Sequence, residues 1–168
     1  MPLKVVSKDI TTMEVDAIVN AANTALQMGG GVCGAVFSAA GASEMQAACD
    51  EFAPIRTGEA VVTPGFKLPA KFVIHTAGPV YRDGKQGEEQ LLRNAYTNSL
   101  KRAVEKGCKS VAFPLISSGI YGYPKEEALN VAVSAIREFI AVQDIDVYLA
   151  VFGRAASLAR NIVQVQES

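Results

Sequence analysis

The chain has 168 residues, of which 49% are hydrophobic and only 20% charged; this excludes an intrinsically disordered protein and fits one domain over residues 1–168. Sixteen Lys and Arg residues oppose 17 Asp and Glu residues, and this near-neutral balance argues against a protein that neutralises long stretches of nucleic-acid backbone. The chain has no Trp and only 7% aromatic residues, which argues against a base-stacking platform for nucleic acid.

The first part of the chain alternates apolar runs with segments of helical periodicity. Strands are predicted at residues 3–6 and 17–21. Residues 17–43 carry no charge, but their five glycines and two asparagines indicate a buried strand, a ligand loop and a packed helix rather than a membrane span. A capping box at residues 43–46 predicts the start of a helix. The buried face of that helix is predicted to contain Met45, Ala48, Cys49 and Phe52.

The rest of the chain continues this alternation. Strands are predicted at residues 59–63, 72–77, 110–116 and 146–152, and helices at residues 88–106, 124–140 and 155–163. Gly107 is expected to end the first of these helices, and Pro124 to occupy the first position of the second. Strands interleaved with helices predict an α/β fold whose central sheet is mostly parallel and carries helices on both faces.

Two uncharged loops each follow a predicted strand and lead into a helix. The first spans residues 20–35 and the second residues 114–124. Both combine small residues with the backbone N–H groups of a helix N-terminus, and this combination binds phosphate without a cationic side chain. Because neither loop contains Lys or Arg, we expect a phosphate ligand to be held by backbone groups.

Gly29, Gly31 and Gly34 match the GxGxxG spacing of dinucleotide-binding sites. In such a site the glycines directly follow the first strand, and an acidic residue about 20 positions later ends the next strand. Here residues 23–28 intervene, and Asp50 falls in a predicted helix. The sequence therefore argues against a dinucleotide oxidoreductase, and the absence of a GK[ST] continuation excludes a P-loop.

The cysteine and histidine content limits the possible chemistry. The chain has an odd number of cysteines, Cys33, Cys49 and Cys108, and no CxxC motif, so a disulfide framework is not expected. With His75 as the only histidine, no metal site is expected. Free thiols and a polar N-terminus without a leader sequence predict a cytoplasmic protein.

Five short motifs occur in the order in which one known family has them. They are Lys8-Asp9-Ile10, Val19-Asn20-Ala21-Ala22-Asn23, Gly29-Gly30-Gly31-Val32, Val73-Ile74-His75-Thr76-Ala77-Gly78-Pro79 and Ser117-Ser118-Gly119-Ile120-Tyr121-Gly122. With these motifs the chain resembles macrodomains of the MacroD type, a family that includes bacterial O-acetyl-ADP-ribose deacetylases. The resemblance implies a single macrodomain with a three-layer α/β/α fold, a mixed and mostly parallel central sheet, and ADP-ribose in a cleft at the strand ends. It implies no cofactor.

The resemblance also implies which residues bind the adenine. Asp9 is expected to contact the adenine amino group, and the Ile10 backbone the ring. Phe152 ends the last predicted strand, where the family often has an aromatic residue facing the adenine. Asp9 before Ile10 could also be an ordinary turn residue at a strand end.

For the rest of the ligand, the resemblance implies a diphosphate between residues 30–32 and residues 117–120. Asn23 is expected on the distal ribose and Tyr121 against that sugar, although Tyr121 and Tyr123 could both be packing residues. The expected ligand-binding residues are Asp9, Ile10, Asn20, Gly30, Gly31, Val32, Ser117, Ser118, Gly119, Ile120, Tyr121 and Phe152. The expected catalytic positions are Asn23 and Cys33.

Two residues depart from the family pattern. Lys8 replaces the glycine usual at its position, a change of little expected consequence. Cys33 stands where hydrolytic members carry an aspartate that activates or orients a water. Cys33 could be a filler in a site that no longer hydrolyses, or a neighbour of a water positioned by substrate phosphate and Asn23. It could also be a nucleophile activated at a helix N-terminus, for which His75 would be the only base.

Three of the polar residues have structural interpretations as well. Asn20 and Asn23 could cap turns, where asparagine is common. His75, within an apolar strand, is expected to be a buried and hydrogen-bonded core histidine rather than a catalytic base.

Two classes of function remain open. An enzyme would use water to remove acyl or ADP-ribosyl groups at the distal ribose, with O-acyl-ADP-ribose or mono-ADP-ribosylated proteins as partners. A reader would bind free or protein-linked ADP-ribose without turnover. Cys33 favours the reader, whereas the otherwise intact loops and Asn23 favour the enzyme, and on balance the sequence favours the hydrolase. A monomer is expected, with neither a membrane nor nucleic acid as a partner.

Overall fold

The computed structural model describes residues 3–167, with side chains to residue 164. Its strands are β1 (Leu3–Val6), β2 (Ala17–Ala22), β3 (Ala60–Pro64), β4 (Phe72–Ala77), β5 (Ser110–Phe113) and β6 (Asp146–Ala150). Its helices are α1 (Gly31–Ala40), α2 (Ala42–Asp50), α3 (Glu88–Glu105), α4 (Lys125–Ile140) and α5 (Gly153–Glu167), with a 3₁₀ turn at Ile10–Thr12. Within this range, no helix is long and apolar enough to cross a membrane.

The six strands form one sheet in the order β1-β6-β5-β2-β4-β3. Only β3 and β4 pair antiparallel, and the other four pairs of neighbours are parallel. The predicted mixed and mostly parallel sheet is therefore confirmed. Because the parallel strands share a direction, their carboxyl ends meet at one edge, and the loops that follow β1, β2, β5 and β6 meet there.

Helices cover both faces of the sheet, and each face has its own hydrophobic cluster. α1 and α2 pack on one face, where Phe37 is almost fully buried. α3, α4 and α5 pack on the other, where Tyr96 is fully buried. The central strand β2 contributes Ile18 to the first cluster and Val19 to the second, because successive side chains of a strand point to opposite faces. This arrangement confirms the three-layer α/β/α fold.

The start of α2 corrects the predicted capping box. Gly41 is the N-cap, with φ of 109°, and its carbonyl oxygen accepts from Met45 N at 2.9 Å. Ser43 therefore lies inside the helix and makes no capping hydrogen bond. The helix ends at Asp50, so Phe52 lies beyond it with 44% of its surface exposed, and its predicted place on the buried face was wrong.

Proline sets two other boundaries that the sequence placed differently. β5 ends at Phe113 rather than at residue 116, because Pro114 has no N–H to continue the ladder. Pro124 is the N-cap of α4 rather than its first residue. Gly107 follows α3 in the left-handed conformation with φ of 74°, as a helix-ending glycine should.

Candidate functional site

A cleft of about 790 Å³ lies at the carboxyl edge of the parallel strands. The two loops predicted to bind phosphate form facing walls, and the ends of β2 and β6 contribute to its floor. The first turns of α1, α4 and α5 also reach the cleft, through Cys33, Lys125 and Ala155. A volume of this size is typical of small-molecule sites.

The first loop is held by side chains on both of its sides. Asn23 bonds the backbone of Gln27 twice, with Nδ2 donating to the carbonyl oxygen at 2.9 Å and Oδ1 accepting from the N–H at 3.0 Å. Gln46 of α2 accepts from Met28 N at 3.0 Å and donates to the Leu26 carbonyl oxygen at 2.9 Å. The position of Asn23 is therefore fixed before any ligand binds.

The first turn of α1 presents unpaired donors to the cleft. The first intrahelical bond from this end is Gly34 N to the Gly30 carbonyl oxygen, so the N–H groups of residues 31–33 have no helical acceptor. Gly30 itself has open space where a Cβ would lie. Gly34 is required for a different reason, since a Cβ there would lie 2.5 Å from the Gly29 carbonyl oxygen. The turn can therefore receive an anion at close range.

The second loop is shaped by internal hydrogen bonds. Tyr123 N donates to the Ser117 carbonyl oxygen at 2.9 Å, and Gly122 N donates to that of Gly119 at 3.0 Å. Ser117 has φ of 68°, and its hydroxyl is buried without a partner among the described residues. Ile120 projects from the loop with 95% of its surface exposed. The loop thus has a fixed backbone and an uncovered apolar tip.

The segment after β4 braces this second loop. Tyr81 N donates to the Tyr121 carbonyl oxygen at 2.8 Å, and the Tyr81 and Tyr123 rings pack edge to face. The Glu88 carboxylate accepts from the backbone N–H groups of residues 82, 83, 84 and 86. These hydrogen bonds, led by that from Arg82, hold the pKa of Glu88 at about 2. Glu88 is therefore an anion that orders the bracing segment.

Asp9, Ile10 and Phe152 form the opposite end of the cleft. Asp9 Oδ1 accepts from the Thr11 N–H at 3.0 Å and from its hydroxyl at 2.8 Å, so the carboxylate caps the 3₁₀ turn. No hydrogen bond to Asp9 Oδ2 occurs within residues 3–167. Phe152 is 58% exposed and offers a free ring surface. This end of the cleft combines an acceptor with an aromatic face.

A buried polar cluster lies beneath the cleft. Asn20 Nδ2 is 3.1 Å from His75 Nδ1 and 3.7 Å from Cys33 Sγ, and His75 Nε2 is 3.0 Å from Thr63 Oγ1. Burial lowers the pKa of His75 to about 4, so the ring is neutral near pH 7. With Asn20 donating to Nδ1, the ring carries its proton on Nε2 and donates to Thr63. His75 is fully buried and does not line the cleft, so it cannot reach a cleft-bound ligand as a base.

The structure brings nearly all the predicted site residues to the cleft. Asn23, Cys33 and the predicted ligand residues line it, with Asn20 as the exception. Asn20 is fully buried in β2 and supports Cys33 from below. No group of three or more His, Cys, Asp or Glu side chains within the described residues is arranged to hold a metal ion.

Sequence reasoning missed several residues that shape the site. Lys125 lines the cleft, and so does Lys8, whose presence was expected to have little consequence. The cleft is therefore less free of cations than its two loops suggest. The sequence did contain a signal for Lys125: it directly follows Pro124, at the start of the helix that follows the second predicted phosphate-binding loop. Gln46 had no comparable signal, because its contact with the first loop crosses 18 to 20 residues of chain.

The Macro domain family model matches residues 19–132 of this chain. The chain is 54% identical over 136 residues to a macro domain-containing protein of Chlorobaculum tepidum, covering 81% of this chain and 78% of the relative. It is 50% identical over 142 residues to the O-acetyl-ADP-ribose deacetylase of Escherichia fergusonii, covering 82% of this chain and 80% of the relative.

Solved structures show the same architecture. The macrodomain of Oceanobacillus iheyensis with ADP has a TM-score of 0.93 at 38% identity, covering 98% of this chain and 91% of that one. A Trypanosoma brucei macrodomain in complex with ADP-ribose has a TM-score of 0.86 at 33% identity, and the match covers 96% of this chain and 68% of that one.

Variants of the O. iheyensis protein have been solved with an asparagine or an aspartate replaced by alanine, or a glycine by valine, the last with ADPR. The glycine lies seven and the aspartate ten positions after the asparagine. Gly30 and Cys33 lie at the same distances after Asn23.

Proposed function

This chain belongs to the Macro domain family, and we propose that it binds ADP-ribose and hydrolyses O-acyl-ADP-ribose or mono-ADP-ribosyl-protein linkages at the distal ribose. The single observation that carries the proposal is the cleft itself, in which two backbone-lined loops face each other beside Asn23 and Cys33. The name of the E. fergusonii relative and the ADP and ADP-ribose held by solved macrodomains support it.

The diphosphate fits between the two loops for electrostatic reasons. Three N–H groups of α1 lack helical acceptors, and the helix dipole favours negative charge at this end. Lys8 and Lys125 add positive charge at the lining, whereas Asp9 is the only acidic side chain among the described residues that line the cleft. The site is therefore suited to an anion held mainly by backbone groups.

The adenosine fits the end of the cleft formed by Asp9, Ile10 and Phe152. Asp9 Oδ1 is occupied by Thr11, which leaves Oδ2 to accept from the adenine amino group. The exposed ring of Phe152 offers a stacking surface for the base. With the diphosphate between the loops, these contacts direct the second ribose towards Asn23 and Cys33.

Hydrolysis would take place at that distal ribose. Each polar atom of the Asn23 amide makes one bond to Gln27, so one N–H and one oxygen lone pair remain for a sugar hydroxyl. A water beside Asn23 and substrate phosphate would attack the ester carbonyl or the ribose, and the departing oxygen would take a proton. Fixed loops hold substrate and water together, and such positioning supplies much of the rate.

A second candidate function is a non-catalytic reader of ADP-ribose, which the thiol at position 33 favours. Unlike a carboxylate, a neutral thiol is a weak acceptor and gives little help to a water. The same loops and the same adenine end would serve a reader equally well, so the two candidates differ only in turnover.

Gly30→Glu tests the binding site. Gly30 has φ of −86° and open space at its Cβ, so the fold should survive and leave the circular dichroism spectrum unchanged. The new carboxylate would occupy the space of the diphosphate and repel it, and calorimetry should detect no ADP-ribose binding. Gly30→Ala is the matched control and should bind. Normal binding by Gly30→Glu would show that the diphosphate lies elsewhere.

Turnover is tested with two substrates. The purified protein is incubated with O-acetyl-ADP-ribose and with a mono-ADP-ribosylated protein, and the released products are followed. Product release from either substrate supports the hydrolase. Tight ADP-ribose binding with no release, in both the native protein and Cys33→Asp, leaves only the reader.

A further inference from the structure

Lys125 is a cation on the cleft wall for which ADP-ribose itself provides no specific partner. It is the first residue of α4, its side chain is exposed, and it lines the cleft. No ion pair to its ammonium group occurs in the described part of the chain. Lys8, the other cation of the lining, directly precedes Asp9 at the adenine end, where the carboxylate opposes its charge. Lys125 has no such acidic neighbour in the cleft wall.

The strand order shows which part of the ligand Lys125 adjoins. At the carboxyl edge the neighbouring strands are β1, β6, β5 and β2. The proposed adenine contacts, Asp9 and Phe152, follow β1 and β6, whereas the proposed diphosphate loops follow β2 and β5. The ribose that joins adenine to diphosphate would therefore lie over the ends of β6 and β5.

The first turns of α4 and α5 meet at the same place. α5 directly follows β6, α4 follows the loop after β5, and the two helices pack against each other. Their first turns reach the cleft through Lys125 and Ala155. The ammonium group of Lys125 is thus placed beside the hydroxyls of the adenosine ribose rather than beside the distal ribose.

Backbone donors at this place add to the charge of Lys125. The first helical bond of α4 runs from Ala128 N to the Pro124 carbonyl oxygen at 2.8 Å, and that of α5 from Ala156 N to the Phe152 carbonyl oxygen at 3.3 Å. The N–H groups of residues 125–127 and 153–155 therefore have no helical acceptor. Open space also surrounds the position that a Cβ of Gly153 would occupy. Both helix dipoles favour negative charge at these ends.

Two glutamates follow Lys125 in the chain but do not line the cleft. Glu126 and Glu127 lie in the first turn of α4, and both are exposed. Glu127 lies on the side of the bracing segment, because burial and then the charge of Glu127 raise the pKa of Tyr81. Their charges are therefore directed to solvent and to the back of the second loop, and they do not cancel that of Lys125 within the cleft.

We propose that the cleft is built for an ADP-ribose that carries a further phosphate on the 2′ oxygen of its adenosine ribose, and that Lys125 binds this phosphate. The inference rests on the proposed function, from which it takes the places of adenine and diphosphate. Dinucleotide-binding proteins make the same distinction, because an acidic side chain hydrogen-bonds a free 2′ hydroxyl, whereas a cationic one accommodates a 2′ phosphate. Here Asp9 is placed at the adenine, and the charged side chain beside the ribose is Lys125.

The charge of a 2′ phosphate gives the proposal two signatures. A phosphate monoester carries about 1.5 to 2 negative charges at pH 7, and its second pKa is about 6. Its bond to an ammonium group is charge-assisted and stronger than a bond to a neutral hydroxyl. The preference for the 2′-phosphorylated ligand should therefore decrease as pH falls from 7 to 5, because the phosphate gains a proton. It should also decrease with added salt, since Lys125 is exposed.

Calorimetry with ADP-ribose and with ADP-ribose 2′-phosphate tests the inference. The native protein should bind the phosphorylated ligand about tenfold more tightly, the scale of one charge-assisted hydrogen bond. Lys125→Ala should lower the affinity for ADP-ribose by no more than a few-fold and lose the preference, whereas Lys125→Arg should keep it. Lys101→Ala is the matched control, because Lys101 lies in a separate groove, and it should bind both ligands as the native protein does.

The possible outcomes separate this inference from the proposed function. If the native protein binds ADP-ribose but binds its 2′-phosphate no more tightly, the inference is wrong and the proposed ADP-ribose site stands. If the protein binds neither ligand, both fail together. A preference that persists in Lys125→Ala, or that does not change between pH 7 and pH 5, also overturns the inference, because other groups would then hold the phosphate.

Discussion

In the proposed hydrolase, turnover is expected to depend on Asn23 and on the residue at position 33. Cys33→Asp is expected to raise kcat for O-acetyl-ADP-ribose by about tenfold or more, because a carboxylate in the first turn of α1 is stabilised by the helix dipole and can orient a water. Asn23→Ala should lower kcat in both the native and the Cys33→Asp backgrounds. Steady-state kinetics of the four proteins measure both effects.

Gln46→Ala is the matched control for Asn23→Ala. Gln46 holds the same loop through Met28 and Leu26 but does not line the cleft. Gln46→Ala should mainly raise KM and change kcat less than Asn23→Ala does, whereas Asn23→Ala should lower kcat. Equal kinetic changes in the two variants would mean that Asn23 acts only by holding the loop.

His75 gives stability a pH dependence whose sign follows from its burial. Its native pKa is about 4 against 6.5 in the unfolded chain, so the unfolded state binds more protons between these values. The free energy of unfolding should therefore decrease as pH falls from about 6.5 towards 4, by about 3 kcal/mol in full. Cys49, the thiol facing His75, stays neutral in this range because burial raises its pKa to about 12.

Urea unfolding near neutral pH and near pH 5 measures this loss. His75→Gln keeps an amide that can pair with Asn20 and Thr63 and does not titrate, so its stability should change less over the same interval. If the two proteins lose the same free energy, another group causes the pH dependence.

At the scale of elements, the first loop and α1 depend on the close approach of Gly34 to Gly29. Gly34→Ala would gain about 1 kcal/mol of helix propensity. Its Cβ, however, would meet the Gly29 carbonyl oxygen at 2.5 Å, and such overpacking costs about 1–3 kcal/mol. We expect a net loss of thermal stability and a weaker affinity for ADP-ribose, since the backbone of residues 29–30 must move.

Gly30→Ala is the matched control at this turn, because nothing lies within 4 Å of its Cβ. Thermal unfolding and calorimetry of the two alanine variants should separate them clearly. If Gly34→Ala binds as well as Gly30→Ala, the Gly29 backbone does not contribute to the ligand site.

Hydrophobic periodicity correctly predicted the helices and strands that have continuous apolar faces, because those faces form the core. β2 and β4 alternate between the two clusters, and α3 and α4 carry clear buried stripes, so their positions were confirmed. Element ends were less predictable, because single backbone groups decide them. Gly41 displaced Ser43 as the cap of α2, and Pro114 ended β5 early.

Within the site, short motifs placed the loop residues but not their long-range supports. Each loop is contiguous, so its residues could be recognised from sequence. The contacts of Asn20 with Cys33 and His75 span 13 and 55 residues, and those of Gln46 cross from α2. Such contacts arise only when the sheet and helices pack. For the same reason Asn20, placed with the ligand residues by its motif, lies beneath the cleft instead.

At the scale of the whole molecule, the proposed site would hold an anion with few cationic side chains, in a chain whose net charge is −1. ADP-ribose affinity should fall no more than a few-fold between low and physiological salt, because backbone donors in a cleft are screened less than surface charges. Lys125→Ala should reduce this dependence further, since Lys125 lines the cleft. Calorimetry at several salt concentrations measures the salt dependence of ADP-ribose affinity in both proteins.

Lys101→Ala is the matched control for Lys125→Ala. Lys101 lies in a separate groove between α3 and α4, so its removal should leave both affinity and salt dependence unchanged. A steep salt dependence in the native protein would indicate that side-chain cations, rather than backbone groups, hold the ligand.

The direction of the parallel strands also decides how the molecule can be attached to a surface. β1 begins at the end of the sheet opposite the cleft, and α5 starts at the cleft with Gly153 and runs about 22 Å over its 15 residues. Residues 3 and 167 therefore lie towards the far pole of the molecule. A fluorophore, an affinity tag or a sensor chip joined near residue 167 would leave the cleft facing solution, whereas Leu3, only 2% exposed, is part of the core and could not carry one. If the cleft binds ADP-ribose as proposed, protein immobilised in this way would capture molecules that carry it.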